Sequence, residues 1–163
     1  MSDTTTAPAA ADAATQAALE RLNTVIDRLI APDGCPWDST QTPESLTEYV
    51  IEECHELVDA IRSGKTADMV EELGDVAFLI LMIGKLMARA GGPSLADALE
   101  VEAAKMVRRH PHVFSDTTYE NQSEQLKDWD RIKREEKAAA GAEGPKGTYD
   151  SLPRGLPPLT KAY

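Results

Sequence analysis

Aromatic residues make up only 5% of this 163-residue chain, which leaves little material for a base-stacking nucleic-acid surface. Cations are scarce too: 17 Lys and Arg stand against 28 Asp and Glu, a formal charge of −11. A chain that grips nucleic acid by neutralising phosphates carries the opposite balance, so no nucleic-acid partner is expected. Cys35 and Cys54 are the only thiols, and nothing in their setting demands a bridge, which suits a reducing, cytoplasmic setting. No apolar run is long. The longest uncharged one, Val76 to Gly84, is about half the ~20 residues of a membrane-spanning helix. The N-terminus has no basic segment ahead of an apolar one, so no secretory signal is read there. Apolar residues nevertheless reach 42% and charged ones 28%, the balance of a globular chain long enough for one domain with a core.

Helical spacing recurs along the chain and strand alternation does not. Leu19, Leu22, Ile26 and Leu29 form the stripe of an amphipathic helix from about Thr15 to Ile30. The Ala-rich residues 1–14 are read as a disordered tail. Ala31-Pro32-Asp33-Gly34 ends the first helix by turn chemistry, and Thr42-Pro43 opens the next as an N-cap with proline following. Its apolar face is read as Leu46, Val50, Cys54, Leu57, Val58 and Ile61. A third helix, Thr66 to about Ala90, is apolar on every side between Val76 and Ile83, which predicts the most buried helix. Ser94 with Asp97 opens a fourth in capping-box fashion, ending near His110-Pro111. A fifth is expected from about Ser123 to Ala139. Residues 15–140 are thus read as one all-α domain, an antiparallel bundle of about five helices. Residues 141–163 form a Gly/Pro-rich tail with Leu152, Leu156 and Leu159 as docking residues.

Two carboxylate clusters carry the chemistry: Glu52-Glu53-Cys54-His55-Glu56 and Glu71-Glu72-Leu73-Gly74-Asp75. Residues three apart share a helix face, so Glu53 with Glu56, and Glu72 with Asp75, each converge. The short Gly64 turn between the helices brings the two pairs together. The stripe of Glu72 and Asp75 continues into Leu79, Met82 and Leu86, so these carboxylates enter an apolar interior. Repulsion and lost hydration there cost several kcal/mol per ion by order of magnitude, and a cation has to compensate. Oxygen-only ligands favour Mg²⁺, with Mn²⁺ as the alternative, over zinc. The competing readings are a solvated acidic face and pairing with Arg62 or Arg89.

Lys105, Arg108 and Arg109, three and four apart, place three cations on one helix face. A metal beside clustered cations is what polyphosphate chemistry needs; the plainer reading is that they complement the helix dipole. Trp37 in the rigid Cys35-Pro36-Trp37-Asp38 loop is either a core plug or a base-stacking wall and is counted among the candidate substrate contacts.

In combination, Gly34-Cys35-Pro36-Trp37-Asp38, Gln41-Thr42, Glu52-Glu53-x-x-Glu56, Glu72-Leu73-Gly74-Asp75 and Arg108-Arg109-His110-Pro111-His112-Val113-Phe114 resemble the MazG family. Its members are nucleoside triphosphate pyrophosphohydrolases of the all-α NTP pyrophosphatase superfamily. The resemblance implies metal ligation by Glu53, Glu56, Glu72 and Asp75, phosphate contact by Lys105 to Arg109, and nucleotide contact by Trp129. The chain departs from the family pattern in carrying Cys54-His55 where Ala-Tyr is common, and Asp68 where some members have a lysine.

The expected reaction is hydrolysis of a nucleoside triphosphate between the α- and β-phosphates, a nucleotide-pool housekeeping role. Glu52, about 100° around the helix from Glu53, is assigned to a supporting position or to orienting the attacking water. The alternatives are a phosphoribosyl-ATP or dUTP pyrophosphatase, and a catalytically weak nucleotide- or metal-binding regulatory module. A homo-oligomer, at least a dimer, is expected because one chain has too few helices to cover the third one; pairing would complete the bundle.

Overall fold

The computed structural model describes residues 6–139 and residue 141, with side chains from residue 12 onward. The C-terminal tail beyond Gly141, with Leu152, Leu156 and Leu159, lies outside the described residues, as do residues 1–5. The described elements are α1 (Thr6–Leu29), a 3-10 turn (Asp38–Thr40), α2 (Thr47–Ser63), α3 (Thr66–Arg89), α4 (Leu95–Arg109), α5 (Pro111–Phe114) and α6 (Gln122–Ala139). The all-α class is therefore the observed one, and no strand occurs among the described residues. The element beyond the expected five is α5, a single turn seeded where Pro111 occupies its start, a position for which its fixed φ is pre-organised. Among the described residues, no helix is long and apolar enough to cross a membrane.

The chain forms two compact units, Met1–Val101 and Glu102–Tyr163, divided within α4. In the first, α1 begins at Thr6 rather than near Thr15. Alanine has the highest helix propensity, and the helix runs on through the Ala-rich stretch without needing the apolar stripe by which periodicity detects it. Thr42 does act as a cap: its Oγ1 accepts from the Ser45 amide at 3.2 Å, and Ser45 Oγ accepts from the Thr42 amide at 3.0 Å. Residues 43–46 form only a turn, however, and regular α2 starts at Thr47.

Geometry requires glycine where α1 and α2 end. Gly64 ends α2 at φ 70°, its N–H bonded to the carbonyls of Ala60 and Ile61, the left-handed termination that glycine allows. Gly34 lies so close to the end of α1 that a Cβ there would meet the carbonyl oxygens of Leu29, Arg28 and Ala31 at 2.3, 2.4 and 2.9 Å.

The core joins Ile26 of α1, Ile30 just beyond its end, Leu46, and Leu79, Leu81, Met82 and Leu86 of α3, with Leu22, Val50, Phe78, Ile83 and Leu95 packed against them. Ile26, Ile30, Leu46 and Met82 are fully buried, each contributing about 1.5–3 kcal/mol relative to exposure. Lys85 pairs with Asp27 at 2.7 Å, and Arg89 Nη1 donates to the Ile30 carbonyl, satisfying a group left open by the end of α1. The capping box is as predicted: Asp97 accepts from the Ser94 amide at 2.7 Å and its hydroxyl at 2.6 Å.

The buried face of α2 differs from the expected stripe. Leu46, Val50, Glu53, Leu57 and Ala60 point inward to varying degrees, whereas Cys54, Val58 and Ile61 are exposed. The sequence offered two apolar stripes, and the packed one is that containing Glu53. Nor is α3 covered all round: Leu79 and Met82 are buried while Ile80 is 47% exposed.

In the second unit, Ile132 of α6 is buried. Tyr119 donates to Asp128 at 2.6 Å, and Arg131 bonds both Asp128 and Glu135. The rings of His110 and Trp129 meet edge-on, with centroids 4.9 Å apart.

Candidate active site

The inward face of α2 reads Leu46, Val50, Glu53, Leu57, Ala60, alternating steps of four and three that keep one side of a helix turned to its neighbour. A half-buried carboxylate thus lies on the inward face. On α3, the half-buried Glu72 precedes Val76, Leu79 and Leu86 on the same side. Since α2 and α3 pack on each other across the Gly64-Lys65 turn, the two acids meet. Carboxylate oxygens of Glu53, Glu56 and Glu72 all lie within 4.8 Å of one another.

Burial pushes the Glu53 carboxyl above its ordinary value, and the charges of Asp75, Glu56 and Glu52 push it further, while a hydrogen bond with Glu72 works the other way. The Glu72 carboxyl is raised by burial first, then by Glu56, Glu53, Glu71 and Asp75. Asp75 and Glu52 therefore act on the cluster through their charge; both are exposed and outside the three-residue group.

Among the described residues of this unit, no cation forms an ion pair with the cluster. Arg28 pairs with Asp33, Arg62 with Asp59, Lys65 with Asp68 and Lys85 with Asp27, while Arg89 is spent on the Ile30 carbonyl. The alternative of pairing with Arg62 or Arg89 is thereby removed. Three converging carboxylates with no ion-pair partner among the described residues form a donor set suited to a hard divalent cation; these residues could hold a metal.

Trp37 is 48% exposed and so is no core plug. Its ring meets Tyr49 edge to face, with centroids 5.6 Å apart and planes at 89°. Tyr49 is also partly exposed and sits one helical turn before Glu53. Sequence reasoning passed over it, although its i−4 spacing from Glu53 was there to be read.

In the second unit, the expected three-cation face is divided. Lys105 pairs with Glu102 on its own helix. Arg108 Nε donates to Glu136 Oε1 at 2.6 Å, while Arg109 Nε and Nη2 donate to Glu136 Oε2 at 2.9 and 2.6 Å. The Arg109 guanidinium lies 5.5 Å from the centre of the Trp129 ring, within cation–π range. Arg108 and Glu136 line a cleft of about 1020 Å³ together with Tyr119, Asp128, Arg131 and Ile132. Sequence reasoning missed Glu136 because it lies 27 and 28 positions from its partners.

Residues 41–114 match the family of MazG nucleotide pyrophosphohydrolase domains. The chain carries a MazG domain. The matched stretch contains every acidic candidate and the Lys105–Arg109 segment; Trp37, Trp129 and Glu136 lie outside it. The chain is 38% identical over 145 residues to a protein of Escherichia coli (strain K12) named nucleoside triphosphate pyrophosphohydrolase, covering 88% of this chain and 54% of that one. It is 41% identical over 138 residues to the uncharacterized protein YabN of Bacillus subtilis (strain 168), covering 85% of this chain and 27% of that one. The crystal structure of a mazG-related protein from Thermotoga maritima superposes with a TM-score of 0.60 at 29% identity, over 71% of this chain and 98% of that one. The MazG chain thus spans about half the E. coli relative and about a quarter of YabN.

Proposed function

We propose that this MazG chain hydrolyses nucleoside triphosphates between the α- and β-phosphates, releasing nucleoside monophosphate and pyrophosphate. The observation that carries the proposal is the convergence of Glu53, Glu56 and Glu72, which no cation among the described residues pairs with. The name of the E. coli relative supports the reaction class.

Glu53, Glu56 and Glu72, with Asp75 one turn further along α3, would hold Mg²⁺, or Mn²⁺ in its place. Such an ion neutralises the polyphosphate and lowers the pKa of a water molecule. Glu52, on the exposed side of α2, is assigned to orienting that water. Lys105, Arg108 and Arg109 bind phosphate oxygens and stabilise charge on the departing pyrophosphate. Trp129 and Trp37 contact the nucleoside. The reading places the protein in the cytoplasm as a nucleotide-pool housekeeping enzyme.

The working unit is a homodimer or larger. Support comes from a second apolar stripe at helical spacing on both packed helices: Ile51, Val58 and Ile61 on α2, and Val70, Leu73 and Ile80 on α3, all exposed. Product analysis with each triphosphate in Mg²⁺ tests the reaction. Monophosphate and pyrophosphate are expected; diphosphate and orthophosphate would overturn it.

A further inference from the structure

We propose that Glu136 is a positioning residue that holds Arg108 and Arg109 as one phosphate-binding pair. This inference rests on the reading that these two arginines contact the polyphosphate. One carboxylate engages both guanidinium groups: its Oε1 takes Arg108 Nε, and its Oε2 takes Arg109 Nε and Nη2. The side chains of Glu136 and Arg109 are 18% and 17% exposed, whereas that of Arg108 is 54% exposed. The arrangement therefore has an anchored end and an open end. The two arginines lower the Glu136 pKa against the opposing effect of its burial, keeping the carboxylate charged.

The geometry has three consequences for phosphate binding. Two adjacent guanidinium groups repel each other, and a shared carboxylate between them removes that penalty before substrate arrives. Each arginine spends its Nε edge on Glu136. Neither Nη of Arg108 bonds Glu136, and Arg109 Nη1 is likewise free of it. Arg109 is also fixed against the Trp129 ring, so the anchor immobilises the aromatic residue assigned to the nucleoside as well. Finally, Arg108 and Glu136 line the same cleft, so the guanidinium is fixed at its wall rather than sweeping through solvent. Fixing rotamers in advance lowers the ordering cost of binding.

Glu136→Gln removes the charge but keeps an acceptor. Outer partners that orient metal-binding side chains cost about 10–100-fold when mutated, and an effect at the lower end is expected here. KM for a nucleoside triphosphate should rise about tenfold, with kcat changing less than about threefold. Glu136→Asp, which keeps the charge on a shorter arm, should fall between that variant and the parent. Asp97→Ala serves as the structural control: it removes the capping bonds with Ser94 at the start of the helix that carries both arginines and should lower the melting temperature without moving KM. An unchanged or lowered KM in folded Glu136→Gln overturns the proposal, as does a loss confined to kcat. The Arg108→Ala/Arg109→Ala double variant separates the two layers. If it raises KM while Glu136→Gln does not, the arginines bind phosphate without needing the anchor. If it leaves KM unchanged, the phosphate assignment itself falls, and the positioning role with it.

Discussion

Glu53 of α2 and Glu72 of α3 bring their carboxyl groups within hydrogen-bonding reach across the packed helix pair, and both are held above the ordinary carboxylate value of 4.5. Burial is the first cause in each case and neighbouring negative charge the second. For an acid with a raised folded pKa, folding favours the protonated form. Stability is therefore lost as pH rises from the unfolded value through the folded one, and the cost persists above it. Without divalent metal, Glu72→Gln should raise the melting temperature at neutral pH and give no gain below about pH 4, near the unfolded carboxylate value. A pH series of thermal melts on parent and variant checks this. An equal difference at every pH would mean that the carboxylates do not repel.

Titrating Mg²⁺ into the same two proteins separates repulsion from ligation. The parent should gain melting temperature with Mg²⁺ concentration, because an ion bound only by the folded state stabilises it by mass action. Glu72→Gln should gain less. Equal gains in the two proteins would place the metal elsewhere.

Alanine at Glu53, Glu56, Glu72 or Asp75 should reduce turnover at least a hundredfold, with the fold retained by circular dichroism. Asp75 gives the most discriminating result, because it lies outside the three-carboxylate group yet raises the pKa of both Glu53 and Glu72. Activity of Asp75→Ala within a few-fold of the parent would limit the ligand set to the three converging glutamates.

Much of this site was legible in the sequence because its parts lie three apart on helices whose spacing is regular. Glu53, Glu56 and Glu72 needed only a helix and a short turn to be brought together, whereas Asp75, expected to join them, lies outside their group. The choice between the two stripes of α2 was not legible. Cys54, Val58 and Ile61 are more apolar than Glu53, yet Glu53 faces inward and they do not, so hydrophobicity ranked the faces in the wrong order. Where a carboxylate takes a half-buried, inward position, the local pattern and the packed structure disagree. The partnership of Glu136 with Arg108 and Arg109 was beyond reach for a different reason: it depends on how α6 meets the end of α4, and no periodicity encodes that.

Gly34→Ala should destabilise the protein by about 1–3 kcal/mol, the range of overpacking effects. The added methyl group would press on three backbone carbonyl oxygens at the end of α1, and backbone cannot rotate away as a side chain can. The neighbouring Cys35 amide bonds the Leu29 carbonyl at 2.8 Å, so relief by shifting the loop would strain that bond too. Denaturant unfolding measures the loss, and tryptophan fluorescence reports whether the Trp37 loop has moved. A melting curve identical to the parent's would show that the end of α1 yields.

The exposed stripes of α2 and α3 predict the association state. Ile61 and Val70 are 58% and 67% exposed, and burying such side chains is worth about 25 cal/mol per Å² of apolar surface removed from water. A twofold pair presents the same patch on both copies, so the two stripes would be covered at once, and a stable interface buries about 1,200 Å² or more in total. Light scattering at micromolar concentration should give at least twice the 17.7 kDa of one chain. Replacing Ile61 and Val70 together with lysine should shift the equilibrium toward the single chain, because each interface would then bury unpaired ammonium groups at a cost that exceeds the apolar gain. Neither residue belongs to the carboxylate cluster, so Glu53, Glu56 and Glu72 remain intact in the variant. A parent protein that is fully active at the mass of one chain would remove the dimer from the working unit.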